Sequence, residues 1–203
     1  MKDLDTQVEN PISIIDSTIE EALPAYFEGL NIPEGAMSKL AATLLGYANS
    51  IVYKRSEDYS ESLACGDFAN VATYLLDSFS THYGLDQALI AKIMIFYEDE
   101  SSHARVSMYN PVTGNFLYFE PQSRRGTTLL LKSESLKKDP YDAIQDLATI
   151  ASSHIDKMRQ VKEVKFYTDK ARYATERINK KGNRLNTFPS TIQLDSKLAE
   201  IFG

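Results

Sequence analysis

The 203-residue chain carries 22 basic and 28 acidic side chains, a formal net charge of -6, and 43% hydrophobic residues. The hydrophobic fraction is ordinary for a globular protein, and the length suits one core with a helical appendage. The acidic balance argues against nucleic acid and against anionic membranes as partners, since both attract basic surfaces. We therefore expect a single domain that binds neither.

The chain contains one cysteine, so it has no internal disulfide, and nothing indicates an oxidising compartment. Residues 1–16 mix acidic and polar side chains and lack the layout of a signal peptide. No apolar run reaches the length of a membrane-spanning helix. These features predict a cytoplasmic protein without a transmembrane segment.

The first elements are predicted to be helical. Residues 12–27 carry apolar side chains at helical spacing, and Pro24 is expected to interrupt that helix. A second helix is predicted over residues 34–53, and the polar residues 54–62 predict an exposed loop. The apolar stripe of the second helix consists of Leu40, Leu44, Leu45, Ala48, Ile51 and Val52.

The next segment predicts a helix over residues 63–79, with Cys65 in its first turn. Its apolar side chains recur every three or four residues: Phe68, Val71, Ala72, Leu75, Leu76 and Phe79.

Strand-like runs follow over residues 88–97, 103–109 and 116–120. The turn-forming residues 110–115 join the last two runs and predict an antiparallel hairpin. Residues 127–132 predict one more strand.

The C-terminal third favours helices, one over residues 139–181 and a short final one over 196–202. Together these patterns predict one domain, with N-terminal helices over 1–53, a catalytic helix and sheet core over 54–135, and a helical C-terminal extension over 136–203.

Cys65 is the first candidate for chemistry. An isolated free cysteine is often a buried small hydrophobe, but in a first helical turn it meets unpaired N–H groups and the positive end of the helix dipole. Both favour the thiolate, and the N–H of Cys65 is placed to bind an oxyanion. Gly66 leaves space for a substrate backbone, while the carboxylate of Asp67 opposes the thiolate unless it points outward.

A base must complement the thiol, and three histidines are available. His82 lies in a helix-ending turn and His154 in a polar stretch, where neither requires a function. His103 opens a strand in which Arg105 shares its face, while the apolar alternate residues should face the core.

The hairpin register selects a third group. If Asn110 pairs with Asn115, Glu120 lies opposite Arg105 and diagonal to His103. Glu120 could then orient the imidazole, or it could only form a cross-strand ion pair with Arg105. The amides of Gln122, which lies opposite His103, and of Asn110 are alternative orienting groups.

These residues resemble motifs of the transglutaminase-like superfamily, especially its bacterial cysteine peptidases. The run Cys65-Gly66-Asp67-Phe68-Ala69 resembles the active-site helix signature, and His103-Ala104 resembles the family's His-Ala strand. Phe119 to Gln122 stands where the family places its acid. The resemblance covers residues 48–131, and Asn49 and Tyr53 are similar to positions in the bacterial peptidases, which makes them substrate-lining candidates together with Gly66.

The resemblance implies an α+β fold with a papain- or transglutaminase-like core, in which the active-site helix packs on a small antiparallel sheet between extra N- and C-terminal helices. The chain departs from the family at Glu120, where aspartate is expected, and it contains no tryptophan to line an acyl site. The second departure favours hydrolysis over protein crosslinking.

The hypothesis is thiol-dependent acyl transfer by Cys65, His103 and Glu120 on a peptide or protein amide, without a metal or other cofactor. One alternative is a non-catalytic protein-binding module that keeps the fold. Another is an assembly protein whose late helices oligomerise, although no strict heptad supports it. The pattern does not indicate an oligomeric state.

Overall fold

Six strands and five helices make up the computed structural model, which describes residues 12–49, 65–120, 127–132, 139–157, 159–167 and 191–203. The strands are β1 Ser13–Thr18, β2 Leu89–Tyr97, β3 Ser102–Tyr109, β4 Asn115–Phe119, β5 Thr127–Lys132 and β6 Val161–Tyr167. The helices are α1 Ile19–Tyr26, α2 Glu34–Asn49, α3 Cys65–His82, α4 Pro140–Ile155 and α5 Thr191–Phe202.

All six strands form one antiparallel sheet in the order β1-β5-β4-β3-β2-β6. The four central strands follow one another along the chain, as short connections favour. The edge strands come from the N-terminal and C-terminal parts of the chain. The fold is therefore α+β, and the predicted β3–β4 hairpin is confirmed.

Helices cover both faces of this sheet. One face packs against α1 and α3, which α2 and α5 cover in turn, and its β3 side chains are Ala104, Val106 and Met108. The opposite face packs against α4 and carries Ile93 and Ile95 of β2. Because both faces are covered, every residue of β4 and all of β3 beyond its first residue are buried.

The predicted stripe of α3 anchors this helix on the sheet. Phe68, Val71, Ala72, Leu75, Leu76 and Phe79 are all fully buried. The Phe68 ring lies 5.7 Å from the Phe119 ring, centroid to centroid, at a tilted angle that aromatic pairs favour. This contact places the N-terminus of α3 over the end of β4.

The N-terminal prediction was wrong over residues 13–18, which form strand β1 and pair with β5. The helix starts only at Ile19 because Thr18 and Glu21 form a capping box there. Pro24 does not interrupt it, since α1 continues to Tyr26. Pro24 is exposed near the end of a short helix, where water can bind the carbonyl that proline leaves without a donor. For α2, residues 34–49 confirm the prediction, and residues 50–53 lie outside the described part.

The C-terminal prediction was wrong in a similar way. The helix predicted over 139–181 ends at Ile155, and Val161–Tyr167 form edge strand β6 instead. The more buried Val164 and Phe166 alternate with the exposed Glu163 and Lys165, which fits a strand with one face packed, and this segment pairs with β2. The N- and C-terminal regions are therefore not purely helical, because each contributes a strand to the central sheet.

Candidate active site

Cys65 is the first residue of the 18-residue helix α3. Its thiol is half-buried and within hydrogen-bonding reach of the His103 ring. The backbone N–H groups of Gly66 and Ala104 face the sulfur and lower the pKa of the thiol. These donors and the helix dipole all favour a negative charge on sulfur.

The end of β4 explains how the thiol reaches a histidine on the other side of the sheet. His103 faces α4, because its cross-strand partner Ile95 lies in the core on that face. The Asn110 N–H donates to the Asn115 carbonyl at 2.9 Å, so every second N–H of β3 points toward β4. The last described pair is Val106 with Phe119. The Ala104 N–H lies beyond that pair and is directed past the end of β4, where it meets the sulfur.

Glu120 follows β4 directly and holds the imidazole. The His103 Nε2 lies 2.9 Å from Oε1 and 3.0 Å from Oε2 of this carboxylate. Both side chains are more than nine-tenths buried. Because an ionised carboxylate only accepts hydrogen bonds, Nε2 carries the proton, and Nδ1 is the nitrogen left for the thiol.

The surroundings shift both pKa values toward an ion pair. Burial raises the pKa of the Cys65 thiol, but the hydrogen bond and charge of His103, with the two N–H donors, outweigh it and leave that pKa below its usual value. Burial lowers the pKa of His103 and the charge of Arg105 opposes protonation. Hydrogen bonds to Cys65 and Glu120 outweigh both and raise it to about 9. Thiolate and imidazolium therefore favour each other.

The carboxylate of Glu120 has a second buried partner. The Arg105 Nε donates to its Oε2, so the ion pair predicted from the register and the contact with His103 exist together. The same guanidinium donates to both oxygens of Asp156, at 2.7 and 2.8 Å. The Tyr97 hydroxyl also donates to Asp156, at 3.0 Å.

The remaining predicted site residues have other positions. Asn110 does not orient His103, because it follows the last residue of β3, seven residues from His103 and roughly 23 Å away at the usual rise of a strand. Its amide oxygen instead accepts from the N–H groups of Val112 and Thr113 in the turn. Asn49 is exposed at the end of α2. Gln122 and Tyr53 lie outside the described residues.

The other two histidines have structural contacts away from this cluster. The His82 ring at the end of α3 stacks on Phe202 of α5 at 3.8 Å between centroids. His154 of α4 lies 3.3 Å from a carboxylate oxygen of Asp16 in edge strand β1.

Sequence reasoning overlooked Asp156. The strand alternation and the hairpin register place Arg105 next to Glu120 and His103. No local pattern connects Asp156 to them, because it caps the C-terminus of α4 and joins the cluster only when that helix packs on the sheet. In the sequence it lies inside the helix predicted over residues 139–181, where an aspartate also fits an ordinary surface position.

The described residues provide neither a metal-binding cluster nor a membrane-spanning helix. No group of three or more His, Cys, Asp or Glu side chains in these segments is arranged to hold a metal ion. No helix in the same segments combines the length and the apolar character needed to cross a bilayer.

Comparison with known protein families, with curated proteins and with solved structures finds no match to this chain.

Proposed function

We propose that this protein is a thiol-dependent acyl-transfer enzyme, a cysteine peptidase or amide hydrolase that uses Cys65, His103 and Glu120. The observation that carries the proposal is the buried chain of contacts from the thiol through the imidazole to the carboxylate. The order nucleophile, base and orienting acid is that of thiol proteases. The papain- or transglutaminase-like core is part of the same proposal. Support for it comes from the sequence motifs and from a helix whose N-terminus meets the β3 strand.

The reaction begins with attack of the Cys65 thiolate on an amide carbonyl carbon, which forms a C–S bond and a tetrahedral oxyanion. The His103 imidazolium then gives its proton to the amide nitrogen, the C–N bond breaks, and the amine leaves. Water gives a proton to the neutral imidazole as it attacks the thioester carbon. Breaking the C–S bond releases the carboxylic product and restores the ion pair.

Backbone groups stabilise the oxyanion. N–H groups in the first turn of a helix have no partner within the helix, and the N–H of Cys65, the first residue of α3, is the proposed oxyanion donor. The helix dipole acts in the same direction.

A peptide or protein amide is the proposed substrate, with water as the acyl acceptor. The chain contains no tryptophan, and it therefore lacks the indole that the resemblance to transglutaminases would require for crosslinking.

The pH dependence of Cys65 alkylation by iodoacetamide tests the ion pair. The thiolate exists above the lowered pKa of Cys65, and the imidazolium exists below the pKa of His103 at about 9, so the pair occupies the range between them. We expect fast labelling well below the usual thiol pKa of about 8.5, with a second change near pH 9. Since Cys65 is the single cysteine, mass spectrometry of the intact protein measures it directly. Slow labelling that rises only above pH 8.5 would contradict the proposal and favour a non-catalytic module.

Gly66 tests whether substrate passes beside the thiol. Apart from its two chain neighbours and the backbone of its own helix, no atom of the described residues lies within 4 Å of a Cβ added at Gly66. The φ angle of Gly66 is not positive. Gly66→Ala should therefore fold, with the greater helix propensity of alanine in its favour. We expect the rate of iodoacetamide labelling to stay within about twofold of the wild type. Relative to the wild type, acyl transfer should slow more with a bulky peptide ester than with p-nitrophenyl acetate. Gly46→Ala in α2, another helical glycine with open surroundings, is the control and should affect neither rate. Equal losses with both esters would contradict this prediction.

A further inference from the structure

Arg105 lies between two carboxylates in the interior, and only 2% of its surface is exposed. One side of its guanidinium contacts Glu120, and the other forms a two-pronged pair with Asp156. A buried charge is costly unless it is paired and its donors are satisfied. Side-chain packing alone therefore does not explain an arginine at this buried position.

Asp156 makes the arrangement more unusual. It is the C-cap of α4, where the helix dipole disfavours a negative charge. Arg105 and the Tyr97 hydroxyl offset that penalty. An aspartate at this position is therefore explained by its contact with the guanidinium and not by the needs of the helix.

We propose that Arg105 and Asp156 are positioning residues of the acyl-transfer site, which keep Glu120 ionised and fixed against His103. This inference rests on the proposed function and extends its three groups to five. When the ion pair forms, the charges alternate from the Cys65 thiolate through His103, Glu120 and Arg105 to Asp156.

Arg105 acts on Glu120 in two ways. A guanidinium favours the ionised form of a neighbouring carboxylate, and only that form can stabilise an imidazolium. The guanidinium also holds Oε2 and thereby limits rotation of the carboxylate away from Nε2 of His103. Both effects keep the imidazole in the tautomer that presents Nδ1 to the thiol.

Asp156 offsets a disadvantage of Arg105. The positive charge of Arg105 opposes the protonation of His103. A carboxylate on the far side of the guanidinium reduces that effect while the contact with Glu120 is kept. The charged and titratable groups that face His103 directly or through Arg105 come from α3, α4, β2, β3 and β4 or their ends: Cys65, Asp156, Tyr97, Arg105, Glu120 and Tyr118.

The test follows the protonation of the His103 ring by NMR in protein labelled at its three histidines, with the His103 signals assigned by their loss in His103→Ala. In the wild type we expect a titration midpoint near pH 9. Asp156→Asn removes the compensating charge and should lower the midpoint by about one pH unit. Asp156→Glu keeps the charge and should restore most of the wild-type value.

Asp86→Asn is the matched control. Asp86 is exposed in the turn between α3 and β2, beside the end of β2 that pairs with Tyr109, so the substitution removes the same charge at the far end of β3 from His103. Its His103 midpoint should equal that of the wild type. The signals of His82 and His154 report whether each variant is folded.

Arg105→Lys is the second variant, in case Asp156→Asn does not fold. A lysine keeps the positive charge but cannot donate to both carboxylates in the geometry of a guanidinium. Oε2 of Glu120 is then held less firmly, so the neutral His103 ring above its midpoint should show a mixture of both tautomers in its nitrogen NMR shifts, where the wild type should show the Nε2–H form.

The outcomes separate the two proposals. A wild-type midpoint near 9 that Asp156→Asn does not lower, or a neutral His103 ring that keeps the wild-type tautomer in Arg105→Lys, overturns the positioning role and leaves the acyl-transfer proposal standing. A wild-type midpoint near the ordinary 6.5 overturns the ion pair itself.

Discussion

Replacement of His103 by alanine is expected to slow acyl transfer by roughly 10²- to 10⁴-fold, the usual contribution of a general acid and base. The variant loses the group that lowers the pKa of Cys65 and the proton donor for the leaving group. With p-nitrophenyl acetate as the probe, release of p-nitrophenol and acetylation of Cys65 measure the rate. In the same variant, Cys65 should no longer react quickly with iodoacetamide at a pH well below the usual thiol pKa.

The other two histidines provide matched controls for this prediction. His82→Ala removes a stacking partner of Phe202, and His154→Ala removes a contact with Asp16. Both variants should keep the wild-type rate per folded molecule. A folded His103→Ala that still acetylates Cys65 at the wild-type rate would remove His103 from the mechanism.

Phe68→Ala is expected to lower the free energy of unfolding by about 3–5 kcal/mol, the range for loss of a buried aromatic side chain. Phe68 is fully buried and packs on Phe119, one residue before Glu120. The cavity would lie between the helix that carries Cys65 and the strand that leads to the acid. Urea denaturation followed by circular dichroism measures the loss.

Phe166→Ala serves as the comparison for Phe68. Phe166 is only partly buried in edge strand β6 and stacks on the exposed Tyr141. The decrease in the free energy of unfolding should be clearly smaller, because folding buries less of the apolar surface of Phe166 than of Phe68. Equal losses in the two variants would mean that α3 is not anchored through Phe68.

Local patterns were sufficient to predict the central part of the fold. The three-and-four spacing of apolar residues located α3, and the turn residues between Asn110 and Asn115 located the β3–β4 hairpin. Once that turn is placed, the period of two along a strand determines which side chains share a face. For this reason the sequence placed Glu120 opposite Arg105 and diagonal to His103, while it left open which of the two Glu120 contacts.

The edges of the sheet were not predictable in the same way. Residues 13–18 and 161–167 are short and carry mixed polar and apolar side chains, so their local preference between helix and strand is weak. Pairing with β5 and β2 decides the outcome, and these partners are distant in the chain. The sequence reading therefore assigned both segments to helices.

By itself, the sequence determined a thiol at the start of a helix, a histidine on one strand of a hairpin and a carboxylate at the end of the other strand. These features depend on spacing within short segments, where periodicity and turn chemistry act locally. Only the tertiary structure decided that the thiol meets the imidazole past the end of β4, and that Asp156 of α4 closes the chain of charges behind Arg105. The first contact joins elements from opposite faces of the sheet, and the second joins a strand to a helix that packs on it; packing between distant segments leaves no local pattern in the chain.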